Sequence, residues 1–286
     1  MNVLSLFDGM SCGQIALNRL GIKYDNYFAS EIKNYAIQVT QENYPNTIQL
    51  GDIRNIKGID LPKIDLILAG SPCQDLSVAN KERKGLLGQK SSLFYEFVRL
   101  LNETKPKYFL LENVKMKEED EYKISKILGM YPQKLNSSLV SAQNRNRLYW
   151  FNFGRKNKNL LGDVFCDIDK PIDKNILLKD IIEDGFVVRE KAFCLLEGYS
   201  RPNATSKRRF RRYKMGFSNL VFEKENLSPF FNRLLTKKEM ERLQNVPEGY
   251  TKNLTWNQSA SVLGDGWTVD MICHILSHAD WSENGL

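Results

Sequence analysis

Apolar residues fall along the first half of the chain in two alternating rhythms. Short continuous runs at 3–7, 64–69 and 107–111 end in polar or glycine residues and read as strands buried on both faces. Residues 24–29 and 47–50 are weaker candidates of the same kind. Between these runs, apolar positions recur at helical spacing over about 12–20, 33–43, 91–103 and 119–128. Such alternation predicts an α/β fold with a doubly wound, mostly parallel sheet and helices on both faces. Runs at 134–140 and 147–153 are expected to add edge strands.

From about 155 to 230 the rhythm weakens, and Lys, Arg, Asn and short β-like pieces dominate. The segment reads as a small separate domain inserted in the first. Order returns at Thr236-Lys237-Lys238-Glu239, which has the form of a capping box opening a helix through Leu243. A final helix is predicted over about 268–279. The expected organisation is therefore 1–154, an inserted domain over 155–230, and a return segment over 231–286.

The 286 residues, 42% of them hydrophobic, suffice for one large domain with a smaller companion. No stretch approaches the ~20 apolar residues of a membrane helix, and the N-terminus lacks a basic, apolar leader. A soluble, cytoplasmic protein is expected. Five scattered cysteines without a C-x-x-C pair argue against a disulfide framework and against a zinc site, so no metal is expected. With two histidines, His274 and His278, acid–base chemistry falls to carboxylates, arginines or water.

A net charge of +7 permits a polyanionic partner. Its distribution is more telling. "SKRRFRRYK", 206–214, holds six basic residues in nine, interleaved with Phe210 and Tyr213. Guanidinium groups suit phosphates and aromatic rings can stack on bases, which points to nucleic acid. Arg208, Arg209, Arg211 and Arg212 are the candidate contacts.

Candidate chemistry clusters where strands end. "FDGMSCG", 7–13, follows the first strand, and Gly9 and Gly13 would let the backbone turn and approach a ligand. Glu31 after the second strand and Asp52 after the third stand at the same edge, where acids bond ribose hydroxyls. These features alone suit a dinucleotide or an adenosyl cofactor equally. "AGSPCQDLS", 69–77, places Cys73 just beyond a buried strand, where loops of open α/β sheets carry chemistry.

"GSPCQDLS", "ENV" at 112–114 and "QNRNRLYW" at 143–150 occur together in the order of the cytosine-C5 DNA methyltransferases, and the chain resembles that family over nearly all of its length except about 155–230. "RLLTKKEMERLQNVP", 233–247, and "GDGWTV", 264–269, extend the resemblance. Ser11 stands where the family has a glycine. "GDGW" replaces the usual Gly-Asn-Ser form and is closer to phage enzymes and the eukaryotic de novo branch.

The resemblance implies an S-adenosylmethionine-dependent, Rossmann-like methyltransferase with a target-recognition domain over 155–230. Cys73 would be the nucleophile, Glu112 would hold cytosine N3, Arg147 would contact O2, and Arg145 would support the catalytic loop, the two arginines facing different ways. S-adenosylmethionine, leaving as S-adenosylhomocysteine, would lie across Phe7, Asp8, Gly9, Gly13, Glu31, Ile32, Asp52, Ile53, Pro72, Leu93, Asp265 and Trp267. Double-stranded DNA would meet Gln74, Ser77 and Gln143, and residues 78–92 would close over a flipped base. A monomer protecting bacterial or phage DNA is expected, with or without a companion restriction endonuclease. Three other readings stay open: a tRNA cytosine methyltransferase, an inactive DNA-binding relative, and a nicotinamide-dependent oxidoreductase, which leaves "SPCQ", "ENV" and "QNRNR" unexplained.

Overall fold

The computed structural model describes residues 1–72, 93–160, 162–196, 205–225 and 227–282. Two compact units emerge. The first comprises Met1–Leu135, Asn146–Lys170 and Cys273–Leu286, and the second Asn136–Arg145 and Pro171–Ile272.

The first unit is built on a seven-stranded sheet in the order β3-β2-β1-β4-β5-β7-β6. Its strands are β1 (Asn2–Leu6), β2 (Asn26–Ser30), β3 (Ile48–Gln49), β4 (Leu66–Gly70), β5 (Tyr108–Val114), β6 (Gln133–Asn136) and β7 (Asn146–Phe151). The pairs β1–β2, β1–β4, β2–β3 and β4–β5 are parallel, as the alternating pattern requires. The helices are α1 (Cys12–Arg19), α2 (Asn34–Asn43), α3 (Leu93–Thr104) and α4 (Glu118–Leu128). Strands β1, β4 and β5 contribute near-continuous apolar runs because both of their faces are covered. Leu4, Leu6, Ile67, Ala69, Leu111, Phe94, Phe97 and Trp150 form the centre of one core.

The expected doubly wound, mostly parallel sheet is present, with one correction. The run at 147–153 was expected at an edge, yet β7 lies between β5 and β6 and runs antiparallel to β5. After it, β8 (Arg155–Lys158) and β9 (Val164–Asp167) form an antiparallel hairpin that stays with the sheet unit. Trp281 packs edge-on against Tyr108 at 5.3 Å, so the C-terminal segment joins this unit too.

The second unit contains α5 (Ser206–Lys214), the short hairpin β10 (Val221–Phe222) with β11 (Asn232–Arg233), α6 (Lys237–Leu243) and α7 (Trp256–Asp265). The last helix, α8 (Val269–Leu276), begins in it and ends in the first unit. The capping box at Thr236 is formed: the Thr236 N–H donates to Glu239 at 2.7 Å, and the Glu239 N–H returns to Thr236 Oγ1 at 3.2 Å. A second box, Thr255 with Gln258, opens α7, a helix the periodicity did not predict. The division into units thus differs from the expected 155–230 insert. Residues 155–170 belong with the sheet, while 231–272 belong with the second unit.

No helix among the described residues is long and apolar enough to cross a membrane.

Gly13 shows how tightly the sheet packs. A Cβ there would meet Leu68 Cδ1 and the Tyr27 hydroxyl, each at 2.6 Å. Its backbone φ is not in the left-handed region, so close packing rather than a turn is what demands glycine. Gly13→Ala should destabilise the chain by roughly 1–3 kcal/mol, the usual range for overpacking, read as a lower urea midpoint at unchanged m-value. An unchanged midpoint would show that α1 can shift freely on β4.

Candidate active site

Parallel strands deliver their loops to one edge of a sheet, and here β4 and β5 deliver them side by side. Gly70, the last residue of β4, is in register with Glu112 near the end of β5. Cys73, Gln74 and Ser77, together with the rest of 73–92, lie outside the described residues. What precedes them is well fixed. The Asn113 side-chain amide donates to Ser71 Oγ at 2.8 Å, and both residues are buried. Asn113, the middle residue of "ENV", thereby ties the end of β5 to a point two residues before Cys73. No role had been assigned to it, although the quoted motif contained the signal.

Glu112 meets Arg147 across the antiparallel pair β5–β7. Tyr149 lies opposite Glu112 and Arg147 opposite Val114, so Glu112 and Arg147 are diagonal neighbours on one face. Arg147 Nε stands 2.7 Å from Glu112 Oε1, with side chains 11% and 10% exposed. The sheet therefore presents a carboxylate and a guanidinium together, beside the strand that leads to Cys73.

Arg145 has a different setting. Its side chain, in the second unit, donates to the carbonyls of Leu195 (3.0 Å), Gly264 (3.3 Å) and Gly266 (2.7 Å) and to Cys194 Sγ (3.3 Å). The residue is buried. It acts as a brace for the turn that carries "GDGW". Gln143 is a correction: expected on the DNA, it is completely buried, donating to the Leu243 carbonyl (2.7 Å) and Gln244 Oε1 (3.0 Å) and accepting from the Leu195 N–H (3.2 Å). Gln244 in turn donates to the Leu263 carbonyl at 2.6 Å and accepts from Thr268 Oγ1 at 3.0 Å. These residues flank Asp265, which is exposed at the end of α7, and Trp267, which is buried.

The loop after β1 is held in an unusual backbone. Phe7, Gly9 and Ser11 take φ values of 58°, 61° and 64°. Left-handed non-glycine residues are costly and need support. Ser11 has it: its Oγ accepts from buried Gln14 at 2.8 Å, and the same amide reaches Thr47 Oγ1 at 2.7 Å. Glu31 accepts from the Gly9 N–H at 2.8 Å through Oε2, and through Oε1 from the Ile32 and Lys33 N–H groups at 2.7 and 2.9 Å. It locks this loop to the start of α2 and keeps lone pairs for a ligand hydroxyl.

A ligand has room here. A Cβ built on Gly9 or on Gly51 would meet no atom within 4 Å. Ile32 is 68% exposed beside Glu31, an apolar surface suited to a base ring. An open glycine loop, a carboxylate and a bare aliphatic face fit a nucleoside-bearing cofactor such as S-adenosylmethionine. Some expected contacts are otherwise engaged. The Asp52 carboxylate is clasped by Arg54, which holds its pKa below the ordinary range. The Ile53 side chain is in the core, with Phe7 and Leu93 packed partly against it. Pro72 is half-buried. Among the described residues no group of three or more His, Cys, Asp or Glu could hold a metal ion.

Asp8 is the incompletely satisfied member of this loop. Tyr27 donates its hydroxyl to Oδ1 at 3.0 Å, while Oδ2 is buried without a hydrogen-bond partner among the described residues. Burial pushes its pKa from 3.8 up to about 6, and the Glu31 charge adds to the rise, against the pull of the Ser5, Ser11 and Tyr27 hydroxyls.

The basic stretch forms helix α5, capped by Thr205. Its inner side buries Tyr213 and packs Phe210 against Phe222, so these rings serve a small core and not base stacking. Arg209 also turns inward, donating to Ser206 Oγ and the Asn232 carbonyl at 3.1 Å each. Arg208 and Arg211 are exposed with Lys207 and Lys214, and Arg212 is half-buried. Helical spacing separated the two faces where composition alone could not.

A family model described as C-5 cytosine-specific DNA methylase matches residues 1–192. The type II methyltransferase M.DsaV of Dactylococcopsis salina is 29% identical over 318 residues, covering 99% of this chain and 88% of that protein. The type II methyltransferase M.NlaX of Neisseria lactamica is 28% identical over 305 residues, covering 94% and 93%. Among solved structures, the Entamoeba histolytica methyltransferase EhMeth matches with a TM-score of 0.72 at 15% identity over 97% of both chains, which shows a shared fold.

The Asp8 environment predicts a pH effect of definite sign. Unfolded, the carboxyl titrates near 3.8; folded, near 6. Between those values the native chain holds a proton that the unfolded chain has lost, so stability falls as pH rises through the window. At ~1.4 kcal/mol per unit the loss is roughly 2–3 kcal/mol. Asp8→Asn should lose correspondingly less over that window in urea titrations. Parallel curves for the two proteins would show that the carboxyl is solvated.

Proposed function

The chain belongs to the C-5 cytosine-specific DNA methylase family, and we propose that it transfers the methyl group of S-adenosylmethionine to C5 of cytosine in double-stranded DNA. The observation that carries this reading is the Glu112–Arg147 pair, set in register beside the end of β4 just before Cys73. A nucleobase needs such a donor–acceptor edge if a thiolate is to add to it.

Bound S-adenosylmethionine supplies an electrophilic methyl group. The other roles fall to the chain. C5 of cytosine is a weak nucleophile until the Cys73 thiolate bonds to C6, which moves the C5–C6 electron pair onto C5. Charge then builds on N3 and O2. Glu112 would hold N3, and Arg147 would face O2. After C5 has taken the methyl group it loses its proton to water, the S–C6 bond breaks, and Cys73 leaves as thiolate. Arg145 takes no part in these steps; it holds the 264–266 turn.

The target base must leave the duplex stack to be reached. Residues 78–92 are assigned to closing over it. Recognition is assigned to the second unit, with Arg208 and Arg211 of α5 on phosphates. Glu31 is assigned to the ribose hydroxyls and Ile32 to the adenine. The chain would act as a monomer inside a bacterial or phage-infected cell, protecting DNA with or without an associated endonuclease.

Tritiated methyl transfer to unmethylated duplex DNA and, separately, to tRNA tests the reading. Transfer to DNA should yield 5-methylcytosine and fall to background in Cys73→Ala. Glu112→Gln should lower kcat by about 10²–10⁴-fold, the span of a lost proton-transfer group, with cofactor affinity retained. Transfer to tRNA alone would move the substrate to RNA. Full activity in Cys73→Ala would overturn the mechanism.

A further inference from the structure

The segment 227–231, leading into β11, carries two adjacent phenylalanines, Phe230 and Phe231, each 56% exposed. Isolated exposed apolar side chains are common, but a neighbouring pair held in a built turn is not. Ser228 fixes this one: its Oγ accepts from the N–H groups of Phe230 (3.2 Å) and Phe231 (3.3 Å), and its carbonyl takes the Asn232 amide at 3.1 Å. The Glu223 N–H closes the hairpin on the Phe231 carbonyl at 3.3 Å.

The turn is also tied to the basic helix. Arg209 of α5 donates to the Asn232 carbonyl at 3.1 Å, and Lys207 Nζ stands 5.0 Å from the Phe230 ring centroid. The rings therefore sit at the end of a helix whose exposed face carries Lys207, Arg208, Arg211 and Lys214, and whose nine residues include no acid. On the other limb of the hairpin Glu223 and Glu225 flank Lys224, leaving a net negative charge that does not favour phosphates. That charge pattern suits the apolar limb leading into β11 meeting a duplex while the helix holds the backbone.

We propose that the Phe230–Phe231 turn is an insertion element for duplex DNA: with phosphates held by Lys207, Arg208 and Arg211, its rings enter the base stack and unstack one step. The inference rests on the DNA reading above and adds to it an interaction made by neither phosphate recognition nor the reacting residues. Apolar wedges beside cationic anchors unstack base steps in this way, and stacking on an aromatic ring is tolerant of sequence.

The two kinds of interaction separate in salt. Binding of the full chain to a short fluorescein-labelled duplex would be followed by anisotropy over a range of salt concentrations. The double variant Phe230→Ala/Phe231→Ala should bind about 5- to 100-fold more weakly, the scale of missing aromatic stacking, with the log–log salt slope unchanged because every phosphate keeps its cation. Arg208→Gln/Arg211→Gln should instead flatten the slope by about one unit for each phosphate that is no longer neutralised. Phe230→Tyr/Phe231→Tyr should restore the affinity. Both rings are exposed, so the thermal midpoint of the alanine variant should match the native one, and the tyrosine variant reports the role even if it does not. A wild-type affinity in the alanine variant would overturn the insertion, as would a weakening that tyrosine fails to restore. No duplex binding by the native chain would instead overturn the DNA reading itself.

Discussion

The antiparallel run of β7 against β5 is the constraint on which the site depends. A parallel strand would place Arg147, the second residue of β7, beside the start of β5 and at the opposite edge of the sheet. Reversal brings it to Val114 and Glu112, where the β4–β5 register already sets Gly70 beside Glu112. Three segments distant in sequence thus deliver an acid, a guanidinium and the approach to a thiol to the same strand ends. The Glu112–Arg147 pair is nearly buried, so each partner keeps the other from standing as an uncompensated charge, a loss on the order of 3–5 kcal/mol. Its worth lies in geometry more than stability: two long side chains are held in one arrangement before any ligand arrives.

Elsewhere the chain deals with buried polarity in two opposite ways. Gln143, Arg145, Gln244 and Thr268 donate to or accept from one another and from backbone carbonyls, which makes their part of the second unit rigid. The loop after β1 is less complete. Glu31 and Gln14 satisfy its amides and the Ser11 hydroxyl, yet Asp8 keeps one oxygen without a partner among the described residues. A satisfied network fixes the turn that presents Trp267, whereas an incompletely satisfied carboxyl beneath the loop leaves its energy sensitive to protons.

The parallel core was legible because it depends on pattern. Runs buried on both faces, separated by helical spacing, leave few arrangements open, and β1, β2, β4 and β5 fall where the runs lie. The place of β7 was not legible, since an apolar run carries no record of its neighbours or direction. Helix α5 was hidden by its own charge: six cations in nine residues pointed to nucleic acid and did not reveal the face that Phe210 and Tyr213 share. Helix α7 was readable in principle, because Thr255-x-x-Gln258 is the same capping signal recognised at Thr236. Residue identity located the chemistry at Glu112 and Arg147 but not the burial of Gln143, whose partners lie about a hundred positions away.

Arg145 and Arg147 show where such reading reaches its limit. Expected to face different ways, they do so, but not by alternation: two residues apart on one strand, they would share a face. They do not, because β7 begins at Asn146. Arg147 is governed by strand register and finds a carboxylate. Arg145 lies before the strand, its backbone carbonyl taken by the Ser137 N–H, and its side chain finds carbonyls instead. The described partners of this guanidinium are neutral acceptors, and several strong hydrogen bonds must offset its loss of water. The same side chain thus serves as half of an ion pair at one position and as a brace for a turn at the other. What decides between them is a single residue's difference in where extended backbone begins.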